Sequence, residues 1–434
     1  MQRIQREFII DDVNDFKSKI LIWSQKFDAI SWLDSNHYNQ KYSSLDAVLA
    51  VDEFTSIKTD YLNAFKQLKE YQSITNDYLF GYLSYDLKND VEQLGSLNFD
   101  GLGFADLYFF QPQRIIFIKG NIVEFSYLKM IDDQIDNDFN QISSTQNNID
   151  KKISEQELKI KLRIHKDEYY QKVNTILDHI HRGDIYEANF CQEFYAENAT
   201  INPVKTYLHL NTISEPPFAT FFKNEDHYLL SASPERYIKK EGQKLISQPI
   251  KGTAKRFISK VDDEQIAFDL SRDEKERSEN IMIVDLVRND LAKTAIRGSV
   301  KVEELCKVYS FKQVHQLIST VVSKVESNTN SVDIIKETFP MGSMTGAPKI
   351  SAMNIIEAQE ETKRGLYSGA VGYFSPNGDF DFNVVIRSIL YNKKNNYVSF
   401  SVGGAITSKS TPEQEYEECL LKAKAMKYVL TNSN

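Results

Sequence analysis

Apolar residues recur at helical spacing in three stretches of the chain. In residues 165–184 they stand three or four positions apart, at Val173, Ile176, Leu177 and Ile180. This spacing places them on one face of a helix, and Gly183 is a residue type that ends helices. Two further helices are predicted at about residues 274–293 and 412–430, the latter with Thr411 as its cap.

Between the predicted helices, apolar runs alternate with short turn sequences. The run YLFGYLSYDL at residues 78–87 is typical of a buried strand, and RIIFIKGNIVEFSYL at 114–128 is typical of a hairpin that turns at Gly120. Two more hairpins are predicted to turn at Asn377-Gly378, a type I′ signal, and near Asn395-Asn396. Hairpins interspersed with helices indicate an α+β fold with antiparallel sheets rather than a doubly wound parallel sheet.

A polar stretch divides the chain. Residues 131–156 are rich in Asp, Asn, Gln and Ser and show no sustained apolar period, so we expect a linker or an exposed loop. We therefore predict an N-terminal subdomain of residues 1–145 packed on a catalytic domain of residues 157–434. The chain's 434 residues are enough for two or three domains.

Composition and charge narrow the classes of partner and compartment. Hydrophobic residues make up 41% of the chain and the formal net charge is -9, which argues against nucleic acid and anionic membranes as partners. The three cysteines, Cys191, Cys306 and Cys419, form no C-x-x-C pair, so we expect no disulfides and no zinc, and a reducing cytoplasm fits. The first residues show no signal peptide, and no apolar run reaches the ~20 residues of a membrane-spanning helix.

Two predicted helices carry carboxylates at the spacing of one helical face. Glu276 and Glu279 are three residues apart, and Glu415, Glu418 and Lys422 follow at i, i+3 and i+7. Such pairs are common on solvated helix surfaces. Each pair here directly precedes an apolar run, however, which favours side chains that point into the protein. Two such pairs that meet would hold Mg²⁺, which takes one or two carboxylates and keeps water or substrate oxygens.

A glutamate and a lysine flank a predicted hairpin. Glu235 lies in SASPER and Lys251 lies sixteen residues later in PIKGT, with a turn near Gly242 between them. If the intervening segment is a hairpin, the two side chains stand on adjacent strands, where an acid and an amine can act as general acid and nucleophile. The alternatives are an exposed ion pair and a surface lysine in a turn.

Together, these pieces resemble the chorismate-utilising enzymes, a family that includes component I of anthranilate synthase and of aminodeoxychorismate synthase and the isochorismate and salicylate synthases. The matching segments occur in the family's order over about residues 160–430. They are GDIYEANFCQ, SASPER, PIKGT, ERSENIMIVDLVRNDLA, FPMGSMTGAPK, YSGAVGYFSPNGDFDFNVVIRS, SVGGAI and PEQEYEECLLKAKA. The resemblance implies an α/β/β/α arrangement with two orthogonally packed antiparallel sheets, which agrees with the hairpins predicted above.

The resemblance also implies roles for single residues. Members of the family hold Mg²⁺ against the ring carboxylate of chorismate. Here Glu279 and Glu418 would be its direct ligands, and Glu276 and Glu415 would act close by or through water. The substrate's carboxylates would be bound by Tyr367, Arg387, Lys422 and the backbone N–H groups around Gly403 and Gly404. Thr345, in the loop FPMGSMTGAPK, would line the same site.

The PIKGT form of the motif is similar to component I of aminodeoxychorismate synthase, because anthranilate synthases usually have alanine at the lysine position. The resemblance implies that Lys251 attacks C2 of chorismate as the C4 hydroxyl leaves, and that ammonia then displaces the lysine and enters at C4. This role requires a lowered pKa of Lys251, whereas Glu235, as general acid, should stay protonated. A role of Lys251 as general base stays open. No segment resembles a glutaminase, so a separate glutamine amidotransferase subunit is expected to supply ammonia.

Other functions stay open at this stage. Component I of anthranilate synthase is the nearest, although PIKGT and Gln316, where that enzyme commonly has His, speak against it. An isochorismate or salicylate synthase fits the PIKGT motif less well. A subunit that only binds tryptophan or chorismate is disfavoured because every implied catalytic and metal-binding residue is present. The segment SWLDSN, residues 31–36, resembles the place where relatives hold an effector tryptophan, but the end of a core strand explains it equally.

Overall fold

The computed structural model describes residues 2–38, 41–43, 45–146 and 158–431. Within these ranges the chain forms twenty strands and eleven α-helices. The strands are β1 (Arg3–Ile9), β2 (Ala29–Asp34), β3 (Ala47–Thr59), β4 (Leu79–Leu83), β5 (Leu107–Lys119), β6 (Ile122–Leu128), β7 (Lys161–Leu162), β8 (Glu187–Ala196), β9 (Phe218–Asn224), β10 (His227–Ser233), β11 (Arg236–Glu241), β12 (Lys244–Gln248), β13 (Ile250–Lys255), β14 (Lys301–Ser310), β15 (Val314–Lys324), β16 (Gly346–Ala347), β17 (Ala370–Phe374), β18 (Phe380–Val384), β19 (Ser388–Asn392) and β20 (Tyr397–Thr407). The helices are α1 (Val13–Ser24), α2 (Ala64–Thr75), α3 (Lys88–Val91), α4 (Ile135–Ser144), α5 (Lys166–Arg182), α6 (Pro203–Ser214), α7 (Lys260–Arg272), α8 (Glu274–Ala292), α9 (Ser331–Thr338), α10 (Lys349–Gln359) and α11 (Pro412–Thr431).

These strands pair antiparallel and form two sheets that are joined through the long strands β3 and β5. The first sheet runs β5-β3-β2-β9-β10-β19-β20-β8, with β6 and β1 beyond β5 and the short β7 and β16 beside β8. The second runs β5-β4-β17-β18-β11-β12-β15, and β13 and β14 also pair with β15. The predicted α+β class with antiparallel sheets is confirmed.

Alternation of side chains along the strands explains why the first sheet is buried on both faces. In β9, Phe221 packs in a core with the helices α5, α6 and α11, whereas Phe222 packs in the core shared with the second sheet. The Phe222 ring meets Tyr82 of β4 with ring centroids 5.5 Å apart. On the second sheet, α8 packs against β13 and β15. The layers therefore follow the order helices, sheet, sheet, helices.

The predicted helices and hairpins are confirmed, with one difference in a turn. Helix α5 ends at Gly183, which has φ +85°, and Thr411 Oγ1 caps α11 by accepting a hydrogen bond from the Gln414 amide at 3.4 Å. The connection between β17 and β18 spans residues 375–379, and Gly378, but not Asn377, has a positive φ. It is therefore longer than the two-residue type I′ turn that the sequence predicts.

The polar stretch 131–156 is partly helical, contrary to the prediction of a linker over its whole length. Residues Lys129–Gln134 form a 3-10 helix, and α4 follows directly. In α4, Ile135, Phe139 and Ile142 stand at i, i+4 and i+7 and pack into the helical core. Three apolar positions give too short a run to stand out among polar neighbours. Residues 147–157 lie outside the described residues, and the division into two domains stays a prediction.

Two expectations from composition concern the cysteines and the membrane. Cys191, Cys306 and Cys419 are buried and unbridged. Among the residues that the structure describes, no helix is long and apolar enough to cross a membrane. The cytoplasmic location stays a prediction.

Gly81 of β4 occupies a position with no room for a side chain. A Cβ atom there would stand 2.0 Å from the Tyr108 carbonyl oxygen and 2.7 Å from the Phe109 ring. We expect Gly81→Ala to lower the free energy of unfolding by about 3 kcal/mol, because a clash with backbone cannot be relieved by a rotamer change. Urea denaturation followed by circular dichroism measures this loss. Gly95→Ala, whose Cβ would meet no atom within 4 Å, is the control; equal stability of the two variants would contradict the prediction.

Candidate active site

A cleft of about 1050 Å³ opens where β13, β15 and β20 meet the helices α8 and α11. Of the twelve site residues that the sequence singles out, eleven line this cleft. They are Glu235, Lys251, Glu276, Glu279, Tyr367, Arg387, Gly403, Gly404, Glu415, Glu418 and Lys422. The fold thus brings together side chains that are spread over nearly two hundred positions of the sequence, and their individual roles stay predictions.

Thr345 is the exception, and its predicted place in the wall of the cleft is corrected. Its side chain is buried, and Oγ1 donates to the carbonyl oxygens of Met341 at 3.4 Å and Gly342 at 3.2 Å. The tight 3-10 turn that precedes it holds the hydroxyl inside the loop. Ser343 and Met344 of the same loop line the cleft instead.

A β-bulge presents Lys251 to the cleft. The register of β13 against β15 shifts between Ile250 and Thr253, so that Lys251 and Gly252 together oppose one residue of β15. Gly252 has φ +86°, and a Cβ there would lie 3.1 Å from Glu276 Oε2. The glycine of PIKGT is therefore required both for its backbone conformation and for the space beside a cleft carboxylate.

Four carboxylates surround the Lys251 amine. Its Nζ lies 3.7 Å from Glu187 Oε1, and Glu279, Glu235 and Glu418 add to the negative field. Burial by itself lowers the pKa of a lysine, but the carboxylates outweigh burial and raise the pKa of Lys251 above its ordinary value. The predicted lowering of this pKa is therefore wrong for the free protein, which holds Lys251 as an ammonium ion.

Glu235 is a buried acid at the start of β11. Burial raises its pKa to about 7, although hydrogen bonds from Ser343 and the Ile250 amide, and the charge of Lys251, favour the ionised form. A carboxyl group with this pKa is able to donate a proton near neutral pH, as the sequence suggested. Glu235 and Lys251 do not stand on paired strands, however, because β11 pairs with β12 and β13 pairs with β15.

Helices α8 and α11 place their glutamates by extending buried stripes toward the cleft. On α8, Glu276 stands four and seven positions before the buried Asn280 and Ile283. The Asp273 side chain caps this helix by accepting from the Glu276 amide at 2.9 Å. On α11, Glu415 is itself buried. The first two turns of both helices thereby line the cleft.

The glutamates on these two helices crowd one another. Burial, together with the charges of Glu279 and Glu418, raises the pKa of Glu276 to about 7. Burial also raises the pKa values of Glu279 and Glu415. Glu418 differs because Lys422 Nζ lies 2.6 Å from its Oε1, and this charge lowers the pKa of Glu418 against the effect of burial. Such crowding is the electrostatic signature of a site that attracts a cation.

The donor set suits a divalent cation that is held jointly with a substrate. In the described ranges, no three His, Cys, Asp or Glu side chains are grouped closely enough to hold a metal ion by themselves. Mg²⁺, however, is usually bound by one or two carboxylates and completes its octahedron with water and substrate oxygens. Glu279 on α8 and Glu418 on α11 line the same cleft, with Glu276 and Glu415 beside them. These residues fit that mode of binding.

Hydrogen-bond donors that are able to bind an anion line the cleft beside the glutamates. Arg387 has φ +52°, a left-handed conformation that is uncommon for arginine and that clusters at functional sites. The Tyr367 hydroxyl is buried and accepts from Cys191 Sγ at 3.6 Å. Lys422 Nζ donates to the Gly403 carbonyl oxygen at 3.0 Å, which ties α11 to β20. An arginine, a lysine and a tyrosine are suited to bind carboxylates.

Gly403 and Gly404 leave the backbone of β20 open to the cleft. A Cβ on Gly403 would lie 2.3 Å from Cys191 Sγ, and one on Gly404 would lie 3.1 Å from Glu415 Oε2. A side chain at position 403 would therefore collide with Cys191 of β8, and one at position 404 would press on the Glu415 carboxylate. The proposed use of their N–H groups stays a prediction.

Two polar residues of the site have no role that the sequence predicts. Glu187, in the segment GDIYEANFCQ, is 1% exposed, and its Oε2 has no hydrogen-bond partner among the described residues. A lone acidic residue beside the apolar Ala188 and Phe190 was the available signal. Gln316 lines the cleft, and its Oε1 likewise has no hydrogen-bond partner among the described residues. Its role stays open.

The segment SWLDSN forms the end of β2, where Asp34 accepts a hydrogen bond from Lys17 Nζ at 2.8 Å. A cavity of about 80 Å³ borders this strand end and also touches Arg236 and Asp381. A core strand end therefore accounts for the segment, and tryptophan binding stays a prediction.

Comparisons with known proteins cover most of the fold. Residues 28–428 match the family described as chorismate binding enzyme. A probable chloroplastic aminodeoxychorismate synthase of Oryza sativa subsp. japonica is 41% identical over 263 residues, which are 60% of this chain and 29% of the rice protein. Anthranilate synthase component 1 of Saccharolobus solfataricus is 30% identical over 395 residues, which are 90% of each chain. The matched region is thus less than a third of the rice protein.

The fold has a close counterpart among solved structures. The crystal structure of anthranilate synthase component I from Streptococcus pneumoniae superposes with a TM-score of 0.78 at 25% identity. The match covers 90% of this chain and 94% of the other. The expected fold class, α+β of the anthranilate synthase component I type, is confirmed.

Proposed function

The chain belongs to the chorismate binding enzyme family, and on that premise we propose that it is component I of an aminodeoxychorismate synthase. In this proposal it converts chorismate and ammonia to 4-amino-4-deoxychorismate, for 4-aminobenzoate and folate biosynthesis. One observation carries the proposal: Lys251 of PIKGT stands in the cleft with Glu235, an acid whose pKa is about 7. That lysine is the residue by which the motif resembles this subgroup and departs from anthranilate synthases.

The first task of the cleft is to bind a substrate with two carboxylates. We assign this task to Arg387, Tyr367 and Lys422, with the backbone N–H groups of Gly403 and Gly404. The planar guanidinium of Arg387 is able to pair with a carboxylate through two parallel hydrogen bonds. Because these groups come from different elements, they also fix the orientation of the ring toward Lys251.

The second task is to bind a negatively charged substrate next to the four glutamates of α8 and α11. We propose that Glu279 and Glu418 hold Mg²⁺, with Glu276 and Glu415 close by. When bound, the cation would act as a Lewis acid, and its positive charge would stabilise the ring carboxylate of the substrate. The raised pKa values of Glu276, Glu279 and Glu415 support this assignment, because they report a surplus of buried negative charge.

The third task is the exchange of a hydroxyl for an amine. The Lys251 nitrogen attacks C2 of chorismate, the ring double bonds shift, and the bond from C4 to its hydroxyl breaks. Glu235 gives its proton to the departing oxygen, so that water leaves. Ammonia then bonds to C4, and the bond between C2 and Lys251 breaks as the double bonds return. The new ammonium group at C4 loses its surplus proton, which restores Glu235 to its acid form. Two easier substitutions, lysine for hydroxyl and then ammonia for lysine, replace one difficult substitution, which is the purpose of covalent catalysis.

Ammonia is expected to come from a partner. The Saccharolobus relative is named component 1, which is consistent with a second component for this chain as well. We propose that the partner is a glutamine amidotransferase subunit. With ammonium salts in its place, the isolated chain should still aminate chorismate.

Component I of anthranilate synthase is the second candidate function. It is favoured by the similarity to two proteins of that name, each over 90% of this chain. In that enzyme nitrogen enters at C2 and pyruvate is lost. The identity of the product therefore separates the two candidates.

The deciding experiment is identification of the product by mass spectrometry. The purified chain is incubated with chorismate, ammonium and Mg²⁺, with and without EDTA. An aminated product that retains the enolpyruvyl group, and that yields 4-aminobenzoate when the matching lyase is added, supports the proposal. Anthranilate in its place supports the second candidate and overturns the first.

Glu235 gives the proposed reaction a predictable pH dependence. Because its raised pKa keeps it protonated up to pH about 7, and the general acid must be protonated, we expect the rate to fall as pH rises above this value. Glu235→Gln should lower the rate by about 10²-fold and abolish this fall. Initial rates of chorismate consumption between pH about 6 and about 9 measure both effects.

Ser343→Ala is the matched control for this prediction. The Ser343 hydroxyl stabilises the ionised form of Glu235, so its removal should raise the Glu235 pKa further. The fall in rate should then move to higher pH without disappearing. A Glu235→Gln variant with the wild-type profile would contradict the assignment of Glu235 as the acid.

A further inference from the structure

Glu187 stands behind Lys251, outside the cleft itself. It begins β8, is 1% exposed and does not line the cavity. Its Oε1 lies 3.7 Å from Lys251 Nζ, and its Oε2 has no hydrogen-bond partner in the described residues. A buried carboxylate with an unpaired oxygen costs free energy of folding. Its position therefore calls for a role that involves the lysine.

The proposed reaction creates the need for such a role. An amine must be neutral to attack carbon, yet in the free protein the carboxylates around Lys251 raise its pKa and so favour its ammonium form. The charged groups that face Lys251 are Glu187 on β8, Glu279 on α8, Glu235 before β11 and Glu418 on α11. One of these carboxylates, or solvent, has to accept the proton before the carbon–nitrogen bond forms.

Three of the four carboxylates have other tasks. Glu235 must itself be protonated to act as the acid, and Glu279 and Glu418 are the groups assigned to the cation. Glu187 has no other assigned task, and it is the carboxylate that lies within 4 Å of the amine. Burial also raises its pKa, with Glu279 adding to the effect and Lys251 opposing it, so a proton is retained there more readily than on an exposed glutamate.

We propose that Glu187 is the proton acceptor for Lys251, a positioning residue that acts through the lysine. The inference rests on the proposed function, because it presupposes that Lys251 attacks the substrate. In the first step a proton passes from Nζ to Glu187, which leaves a neutral amine and a neutral carboxyl group. The amine then bonds to C2 while the Glu235 proton leaves with the C4 hydroxyl as water. When ammonia displaces the lysine, the proton returns from Glu187 to Nζ, and the pair is restored.

Glu187→Gln tests the inference, because it keeps the shape of the side chain and removes the acceptor. At neutral pH we expect chorismate consumption to fall by about 10²-fold. The variant must lose the lysine proton to solvent, so the ratio of its rate to the wild-type rate should rise about tenfold per pH unit below the pKa of Lys251. This ratio is independent of the titration of Glu235, which both proteins retain. Chorismate affinity measured by calorimetry should be unchanged.

Two controls separate this role from a purely structural one. Glu193→Gln removes another buried carboxylate from β8, one that pairs with Arg163 at 2.8 Å, and its rate ratio should not vary with pH. In a Lys251→Ala background, Glu187→Gln should cause no further loss, because the two residues act as a unit. If Glu187→Gln does not fold, Glu187→Asp is used in its place. Aspartate keeps a proton acceptor at a longer distance, so we expect a reduced rate and a rate ratio that does not vary with pH.

The outcomes distinguish this inference from the proposed function. A Glu187→Gln rate ratio that does not vary with pH, or a further loss in the Lys251→Ala background, overturns the role of Glu187. A wild-type product other than 4-amino-4-deoxychorismate overturns the proposed function, and is recorded before any variant is made. The rate ratio is measured on chorismate consumption, so it reports on Glu187 whichever product forms.

Discussion

Lys251→Ala is expected to lower formation of the aminated product by about 10³-fold or more, which corresponds to about 4 kcal/mol of transition-state stabilisation. The reason is specific to the site. A bulge in β13 presents Lys251 to the cleft. Lys255, the other lysine of this strand, lies beyond the bulge. Without the amine, ammonia has to displace the hydroxyl in a single step, and the covalent route is lost. Product formation with saturating ammonium, quantified by mass spectrometry, measures the loss.

Two further measurements make this result interpretable. Lys255→Ala, at the end of the same strand and also on the wall of the cleft, should keep at least half of the wild-type rate. Intact-protein mass spectrometry of the wild type with chorismate but no ammonia should show an adduct of chorismate minus water, absent from Lys251→Ala. Wild-type rate and product in Lys251→Ala would remove the covalent role.

Removal of divalent cations is expected to reduce product formation to background. Five glutamates line the cleft that must receive a dicarboxylate, four of them on α8 and α11, and charges that lie close together in a partly buried site repel strongly. Without a cation we therefore expect chorismate to bind at least about 100-fold more weakly, a change of about 2.7 kcal/mol. Calorimetric titration with chorismate in EDTA and in Mg²⁺ measures the difference.

Variants assign the effect to particular carboxylates. Glu279→Gln and Glu418→Gln should each require a higher Mg²⁺ concentration for half-maximal activity. Glu417→Gln, next to Glu418 on the same helix but outside the lining of the cleft, should leave the requirement unchanged. Full activity in EDTA would contradict the assignment of a metal site to these glutamates.

Several parts of this picture were accessible from the sequence because they depend on local patterns. The stripe of Val173, Ile176 and Leu177 predicts α5, and the carboxylates of α8 and α11 stand out because they adjoin apolar runs. The hairpin at Gly120 follows from its turn sequence. In each case the residues that determine the structure are neighbours in the chain, so spacing alone carries the information.

Other parts depend on contacts between distant segments, and spacing does not encode them. The raised pKa of Lys251 results from carboxylates on β8, α8 and α11. Thr345 turns inward because of hydrogen bonds within its own loop, and α4 is recognisable as a helix only once its three apolar residues have a core to enter. Neither residue type nor spacing distinguishes Glu187 in the sequence. Its importance comes from the 3.7 Å distance between its Oε1 and Lys251 Nζ on another strand.

The bulge at Lys251 and Gly252 has a consequence for insertions and deletions in this strand. Side chains alternate between the two faces of a strand, so the extra residue in β13 sets which face every later side chain occupies. Deleting one residue at the bulge would restore regular pairing and reverse the faces of the side chains that follow it, among them Thr253 and Lys255 in the wall of the cleft. The length of this short segment is therefore under as much constraint as the identity of the lysine it carries.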